Sequence, residues 1–414
     1  MVPWFRRASL RRLHAAALAA LSFAGISCGH DTTSNGSYAV RDSAGIQIVS
    51  NPSAVTGDSA CPVVDSVPTF TIGGAGAEGP YDVQQVTGAR VLANGSLVLL
   101  NGATSELRHF DSTGLYLRSA GRKGSGPGEF QSPYQLFWYG PDTLMVQDFA
   151  TSRLSFVGTD GRFLGDVALR RGLGGTLVGR LPHGDFLATT SDYVAPGHGT
   201  SGRQHPPLRL VRVSREGAVL DTLGTFPGGE RVLEITEQSG SVGPATFGRE
   251  TQFELADSLL YLADAAEYRV RVYAGGRRLV RIIEKVHDPV PVTKAMWDAE
   301  RSRQAGATSN PRFKEFLERL QANDRMPATL PAYRGIALDA DGWLWVRPYA
   351  VSETGSLSWD VFDASGRLRC AVRLPAGLTA RDVSHDYFLG VVRDEDGVEQ
   401  VRLYRIRRGG RSPT

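Results

Sequence analysis

The stretch from Asn101 to Leu164 contains one unit twice. Asn101–Leu117 reads NGATSELRHFDSTGLYL and Asp148–Leu164 reads DFATSRLSFVGTDGRFL; a shift of 47 residues makes six of the seventeen positions identical, including Gly114/Gly161 and Leu117/Leu164. A sheet-forming unit of this length cannot bury both of its faces alone, so its copies must stack against one another. A 40–50-residue period with strand-like alternation and turn glycines predicts an all-β chain, a β-propeller.

The turns lay out the units. The first spans Val86–Ala120, with turns at Asn94-Gly95 and Ser112-Thr113-Gly114. The second spans Tyr134–Leu169, the third Thr176–Phe226, the fourth Thr251–Val286 and the fifth Tyr333–Leu374. Ala380–Arg408 holds only three strands, and Thr69–Gly73 is expected to supply the fourth and close the ring, because an open sheet edge invites aggregation. The expected fold is therefore a six-bladed propeller over 67–408. Between its fourth and fifth units, 287–332 reads as a helical insertion, with helices over Thr293–Gln304 and Asn310–Asn323. Asn310 can cap the second helix, Pro311 suits its first position, and Phe313, Phe316, Leu317 and Leu320 share a face expected to lie on the propeller. Val40–Val49 reads as a turn and outer strand: either an added edge strand or a fragment of a seventh blade.

The run Gly124-Ser125-Gly126-Pro127-Gly128-Glu129-Phe130, followed by DTLMVQD and SRLSFVGTDGRFL, resembles an NHL-type repeat. More narrowly, the chain is similar to bacterial six-bladed propeller lipoproteins, with uneven strength from Thr69 to about Arg408. The resemblance implies an exported propeller that serves as a recognition or sensor module. Some six-bladed propellers are instead metal-dependent hydrolases or lyases, lactonase-like or amidating-lyase-like, with the site in the central channel. Glu78-Gly79-Pro80-Tyr81 faintly resembles the metal-binding Glu segment of lactonase-type propellers, but their Asn and Asp ligands have no matching motif here. No metal or other cofactor is expected.

Residues 1–27 read as an export signal: Arg6, Arg7, Arg11 and Arg12 precede about fifteen residues without formal charge, too few to span a bilayer. Ala24-Gly25-Ile26-Ser27-Cys28-Gly29 resembles a bacterial lipobox, which implies lipid on Cys28 and a membrane-anchored protein of the cell envelope. Gly25 departs from the usual Leu, and plain cleavage after Ala24 is the alternative. A polar tether over 28–66 and a frayed tail over 409–414 flank the propeller. The signal removes four of the 46 basic residues and none of the 43 acidic ones, leaving 42 against 43. That balance is no footprint for nucleic acid. In an exported chain the two remaining cysteines, Cys61 and Cys370, either pair or stay as buried thiols; a bridge closing so long a loop would contribute up to roughly 4–5 kcal/mol.

In each unit the first-to-second and third-to-fourth connections are tight. The long connections, Ser191–Pro207, Gly228–Glu250 and His287–Ala332, with the glycine loops 73–80 and 121–130, all belong to the other class, and so to one face. Excess length on one face of a repeat scaffold marks the binding face. Its candidate residues are Glu78, Tyr81, Arg122, Lys123, Glu129, Arg249, Tyr333 and Arg334, toward a protein, peptide or glycan. No catalytic set is apparent. Gly74-x-Gly76-x-x-Gly79 follows a strand but precedes no helix, so it is not a dinucleotide loop. Asp192, His198 and His205 share a Gly/Pro-rich loop, expected to be solvated. Asp339-x-Asp341-Gly342 and Asp394-Glu395-Asp396-Gly397 read as turns rather than calcium loops. Asp148/Arg153 and Asp264/Arg269 recur at one unit position and are expected to form bracing ion pairs, with Phe130 wedged between units and Glu129 capping loop N–H groups.

Overall fold

The computed structural model describes residues 38–55, 60–169, 175–191, 200–306, 310–352, 355–394 and 396–409. Cys28 and the export segment, the loop positions Asp192 and His198, and the last residues lie outside the described residues. Among the described residues no helix is long and apolar enough to cross a membrane.

Strands dominate, and they form antiparallel four-stranded meanders. The first sheet is Val86–Val91, Leu97–Asn101, Glu106–Phe110 and Tyr116–Ala120. The second is Pro133–Gly140, Thr143–Asp148, Arg153–Gly158 and Phe163–Ala168. The third is Thr176–Arg180, Phe186–Ser191, Pro207–Val213 and Val219–Pro227. The fourth is Gln252–Ala256, Leu259–Ala263, Arg269–Ala274 and Arg278–Lys285. The fifth is Tyr333–Leu338, Leu344–Pro348, Ser356–Phe362 and Leu368–Pro375. The last is Thr379–Val383, Tyr387–Arg393 and Glu399–Arg407, completed by Phe70–Gly73, which pairs antiparallel with Glu399–Arg407 from Gln400↔Gly73 to Leu403↔Phe70. The first strands touch in sequence order, and Thr379–Val383 meets Val86–Val91, so the ring closes. The fold is a β-propeller.

Why these segments become these strands follows from burial. Second strands such as Leu97–Asn101 are covered on both faces by neighbouring sheets and are near-continuous apolar runs. Fourth strands lie at the rim and alternate, as in Phe163–Ala168. Each successive pair of sheets encloses its own apolar core; Val98, Leu100 and Leu107 of the first sheet meet Leu136, Leu144 and Val146 of the second around Phe130, the wedge anticipated from sequence. The Asp-x-x-Gly turns need no cation. Asp111, Asp339, Asp363 and Asp394 each accept two backbone N–H bonds through Oδ1, shaping the turn themselves.

The N-terminal part straps the rim of three sheets. Ala39–Ser43 and Ile46–Asn51 form a hairpin, and its second strand pairs in parallel with Arg278–Lys285, so this segment is an edge addition to the fourth sheet. Asn51 is buried; it donates to the carbonyls of Glu284 and Gly366 and accepts from the Leu368 N–H, tying the fourth sheet to the fifth. Cys61 is disulfide-bonded to Cys370 of the fifth sheet, 309 residues away. Val63–Val64 and Phe70–Gly73 then pair with the last sheet.

The structure adds to the long connections and corrects two expectations. The long loops are not bare: Gly202–Gln204, Arg231–Ile235 and Gly240–Pro244 form a further three-stranded sheet. Of the two helices, α1 (Lys294–Gly306) and α2 (Pro311–Asn323), the second packs on this accessory sheet rather than on a propeller sheet, burying Leu320 against Val232 and Ala245. Phe313, expected on the packed face, is 48% exposed and stacks on Phe316. Asn310 does cap α2, its side chain accepting from the N–H groups of Arg312 and Phe313. The expected bracing pairs are absent as well. Asp148 accepts from the N–H groups of Gln131, Ser132 and Thr151, whereas Arg153 pairs with Asp166; Asp264 pairs with Arg271, and Arg269 with Glu267 and Glu284. At Asp148 the turn N–H groups take the carboxylate, and at Asp264 the Arg271 guanidinium does.

Candidate functional site: a channel-mouth cavity

The first strands hold the key local feature. In five sheets the register to the second strand slips by one residue near the strand's start, leaving Thr87, Tyr134, Val178, Arg334 and Arg381 opposite no partner. Such bulges re-aim a side chain and break the ladder locally. These strands begin where the long connections enter, so the bulges ring the channel on that face. Small residues let neighbouring strands approach there: a Cβ on Gly88 would sit 2.5 Å from the Leu136 Cβ.

A cavity of about 530 Å³ opens beside this ring. Its floor comes from Gln252 of the fourth sheet, Arg334, Gly335, Ile336, Arg347, Tyr349 and Trp359 of the fifth, and Thr379, Arg381, Val391 and Arg393 of the last. Its roof is Glu300, Arg303 and Gln304 of α1 with Phe247, Gly248 and Glu250 of the preceding connection. Gln252 locks the seam between sheets, accepting from the Ile336 N–H at 2.8 Å and donating to the Arg334 carbonyl at 2.8 Å.

The electrostatics are one-sided, with five lining arginines against two glutamates. Both glutamates are engaged: Glu250 with Arg231 at 2.5 Å, Glu300 with Arg303 at 2.7 Å. Arg393 is held by Glu399 at 2.5 Å, whose other oxygen accepts the Val86 N–H. Arg381 donates only to carbonyls, those of Val86 and Ala380, and Arg90 donates to the Arg381 carbonyl. Burial lowers the Arg381 pKa to about 10, with Glu399 opposing and Arg393 and Arg90 adding to the drop, so it stays cationic near neutrality. Arg334 lies over the Tyr349 ring, 5.6 Å from its centroid. Glu254, two residues beyond Gln252 and on the same face of its strand, has no hydrogen-bond partner among the described residues. Burial raises its carboxyl to about 7, against the pull of Arg90.

A second charged cluster holds the roof together. Glu230 takes Arg203 at 2.8 Å, Arg249 at 2.9 Å and His205 at 2.8 Å, and Arg203 also pairs with Asp324 just past α2. Burial alone would raise the Glu230 carboxyl; hydrogen bonds from Arg203, then from the Arg249 N–H and guanidinium, bring it down to about 2. His205 belongs to this clasp.

Of the eight candidate face residues, the structure brings only Arg334 to the cavity. Arg249 serves the clasp. Tyr333 is buried, its hydroxyl accepting from the Ala265 N–H and donating to the Arg269 carbonyl, so it packs sheets together rather than facing a ligand. The Tyr81 hydroxyl accepts the Tyr116 N–H, a tie within the first sheet. Glu129 accepts the Gly126 N–H and pairs with exposed Arg122, folding the glycine loop around itself; a Cβ on Gly124 would lie 2.1 Å from its Oε2. Lys123 and Glu78 are exposed and away from the cavity. Sequence reading missed Arg347 of the fifth sheet and Arg381 and Arg393 of the last; for Arg381 the signal available was an arginine just inside a first strand, as in Tyr333-Arg334-Gly335 and Ala380-Arg381-Asp382. Among the described residues, no three His, Cys, Asp or Glu side chains are grouped to hold an ion.

No family model and no curated protein matches the sequence. Among solved structures, this chain is similar to a Bacteroides fragilis protein described as exported, with 13% identity and a TM-score of 0.50 over 88% of this chain and 100% of that one. It also aligns with a DUF4221 family member from Bacteroides vulgatus (10% identity, TM-score 0.49, 84% and 99% covered) and with virginiamycin B lyase from Staphylococcus aureus (11%, 0.38, 77% and 95%). The likeness to the Bacteroides fragilis protein speaks to the fold alone.

Proposed function

We propose that this chain is an exported recognition scaffold of the cell envelope. The ring is read as six blades, 1–27 as an export signal, and Cys28 as the lipid-bearing residue that anchors the protein. The long-connection face holds a protein, peptide or glycan partner. One observation carries the reading: a cavity of about 530 Å³ whose floor is drawn from three sheets and whose roof is α1 with the connection that the Glu230 clasp holds. A roof built to this extent encloses a binding site, and its volume falls in the range typical of ligand pockets. The run of uncharged residues after the N-terminal arginines supports export.

A photo-crosslinking residue at Gln304, over the cavity, is expected to give a discrete adduct in intact cells, whereas one at exposed Leu117 on the first sheet's rim gives none. Equal labelling at both positions, or none at Gln304, would defeat the reading. In the same cells Cys28→Ser should move the protein out of the membrane fraction; if it stays, the anchor is wrong.

A further inference from the structure

We propose that the channel-mouth cavity binds a small organic anion carrying two or more carboxylates. The proposal rests on reading this face as the binding face and specifies the chemistry it accepts. Arg334 and Arg381 contact no carboxylate among the described residues, while the cavity's own acids, Glu250 and Glu300, are each matched by an arginine. Arg334 is exposed at the cavity with no carboxylate on it, and Arg381 is buried with carbonyls as its hydrogen-bond partners and Glu399 as the nearby charge, so the lining keeps an excess of guanidinium, a group that can grip carboxylate through two parallel hydrogen bonds.

A second observation is independent of charge. The Trp359 indole lines the cavity, is 2% exposed, and among the described residues its Nε1–H has no acceptor. A buried donor of this kind calls for an oxygen supplied from outside. Ile336, Phe247 and Tyr349 add apolar wall between the charged groups, so the ligand has a carbon frame rather than being an inorganic ion. The volume suits a dipeptide or a disaccharide. Carboxylates on such a frame occur in acidic peptides and in uronic-acid sugars, and the test separates these sources.

Calorimetric titration of the purified protein uses Glu-Glu dipeptide and digalacturonate as acidic probes, with Gln-Gln and a neutral galactose disaccharide as their uncharged counterparts. One acidic probe is expected to bind, with its affinity falling about tenfold between low and roughly 300 mM salt as the charges are screened. Arg334→Ala should weaken that probe about tenfold. Arg334 is exposed and its side chain makes no hydrogen bond among the described residues, so the variant's melting temperature should match the parent's. Equal binding of acidic and neutral probes, an Arg334→Ala affinity equal to the parent's, or no binding of either acidic probe at about 10 mM would each overturn the proposal. A Gln304 adduct in cells together with any of those outcomes would leave the recognition reading standing and remove only the anionic ligand.

Discussion

Glu254 shows at the level of one side chain how a propeller's axis differs from its rim. On the rim a glutamate is solvated; on a first strand Glu254 is half-buried, and without a hydrogen-bond donor among the described residues its neutral form is favoured. Its folded pKa of about 7 stands above the ordinary 4.5. The sign follows from linkage. Below pH 4.5 the carboxyl is protonated in both states and contributes nothing. Between 4.5 and 7 the unfolded chain releases its proton first, so stability falls as pH rises, and above 7 the loss is constant. Glu254→Gln is therefore expected to be about 1–3 kcal/mol more stable than the parent at pH 8 and indistinguishable from it near pH 4. Urea unfolding at the two pH values checks this; an equal difference at both would show that titration is not the cause. That Glu254 sits here could be read only in part from sequence: the alternation in Gln252–Ala256 gives its face, but not which sheet stands opposite.

Among elements, the accessory sheet and α2 form a unit that owes its position to the Glu230 clasp. Its apolar contact is small, essentially Leu320 with Val232 and Ala245. The ion pairs of Arg203 with Glu230 and Asp324 therefore bear much of the connection, and removing one partner strands buried charge. Glu230→Gln should raise hydrogen exchange in Arg231–Ile235 and Gly240–Pro244 by at least about tenfold at pH 7, with the amides of Leu97–Asn101 unchanged. The parent should show the same loosening as pH falls from 4.5 toward 2, because the depressed carboxyl keeps its contribution above the unfolded pKa and loses it through the folded one. Exchange that rises equally in both regions would mean the clasp supports the whole molecule instead. The helices of this unit were legible in sequence through the Asn310 cap and the apolar spacing. Their resting place was not, because an amphipathic stripe states that a face is covered without stating by what.

For the whole molecule, closure is the governing requirement. A ring of sheets has one seam where the chain's two ends must meet; here Phe70–Gly73 closes it on Glu399–Arg407, while Asn51 ties the fourth rim to the fifth and Cys61–Cys370 fastens the N-terminal segment to the fifth sheet. The disulfide limits the unfolded chain over 309 residues. Cys61→Ser with Cys370→Ser is expected to cost roughly 2–5 kcal/mol while leaving the far-ultraviolet spectrum unchanged. Guanidinium unfolding of the oxidised parent and the double variant measures it; a difference under about 0.5 kcal/mol would mean that strand pairing alone secures the ring.

The sequence by itself determined what is periodic and local. Repeated apolar runs and Gly turns specify a strand that must be covered and a chain reversal, and they do so within about ten residues, so sheet spans, turns and helix caps can be read directly. The closing strand was also legible, since a unit one strand short must find its partner elsewhere. Only the tertiary structure decided the rest. The cavity gathers Arg334 and Arg381, each at a one-residue bulge, with Gln252 from a third sheet, the clasp joins Arg203 to Asp324 across 121 residues, and Tyr333 turned from candidate contact to packing residue. These depend on which sheet neighbours which, and on a register slip whose cost and gain are settled between strands rather than along one.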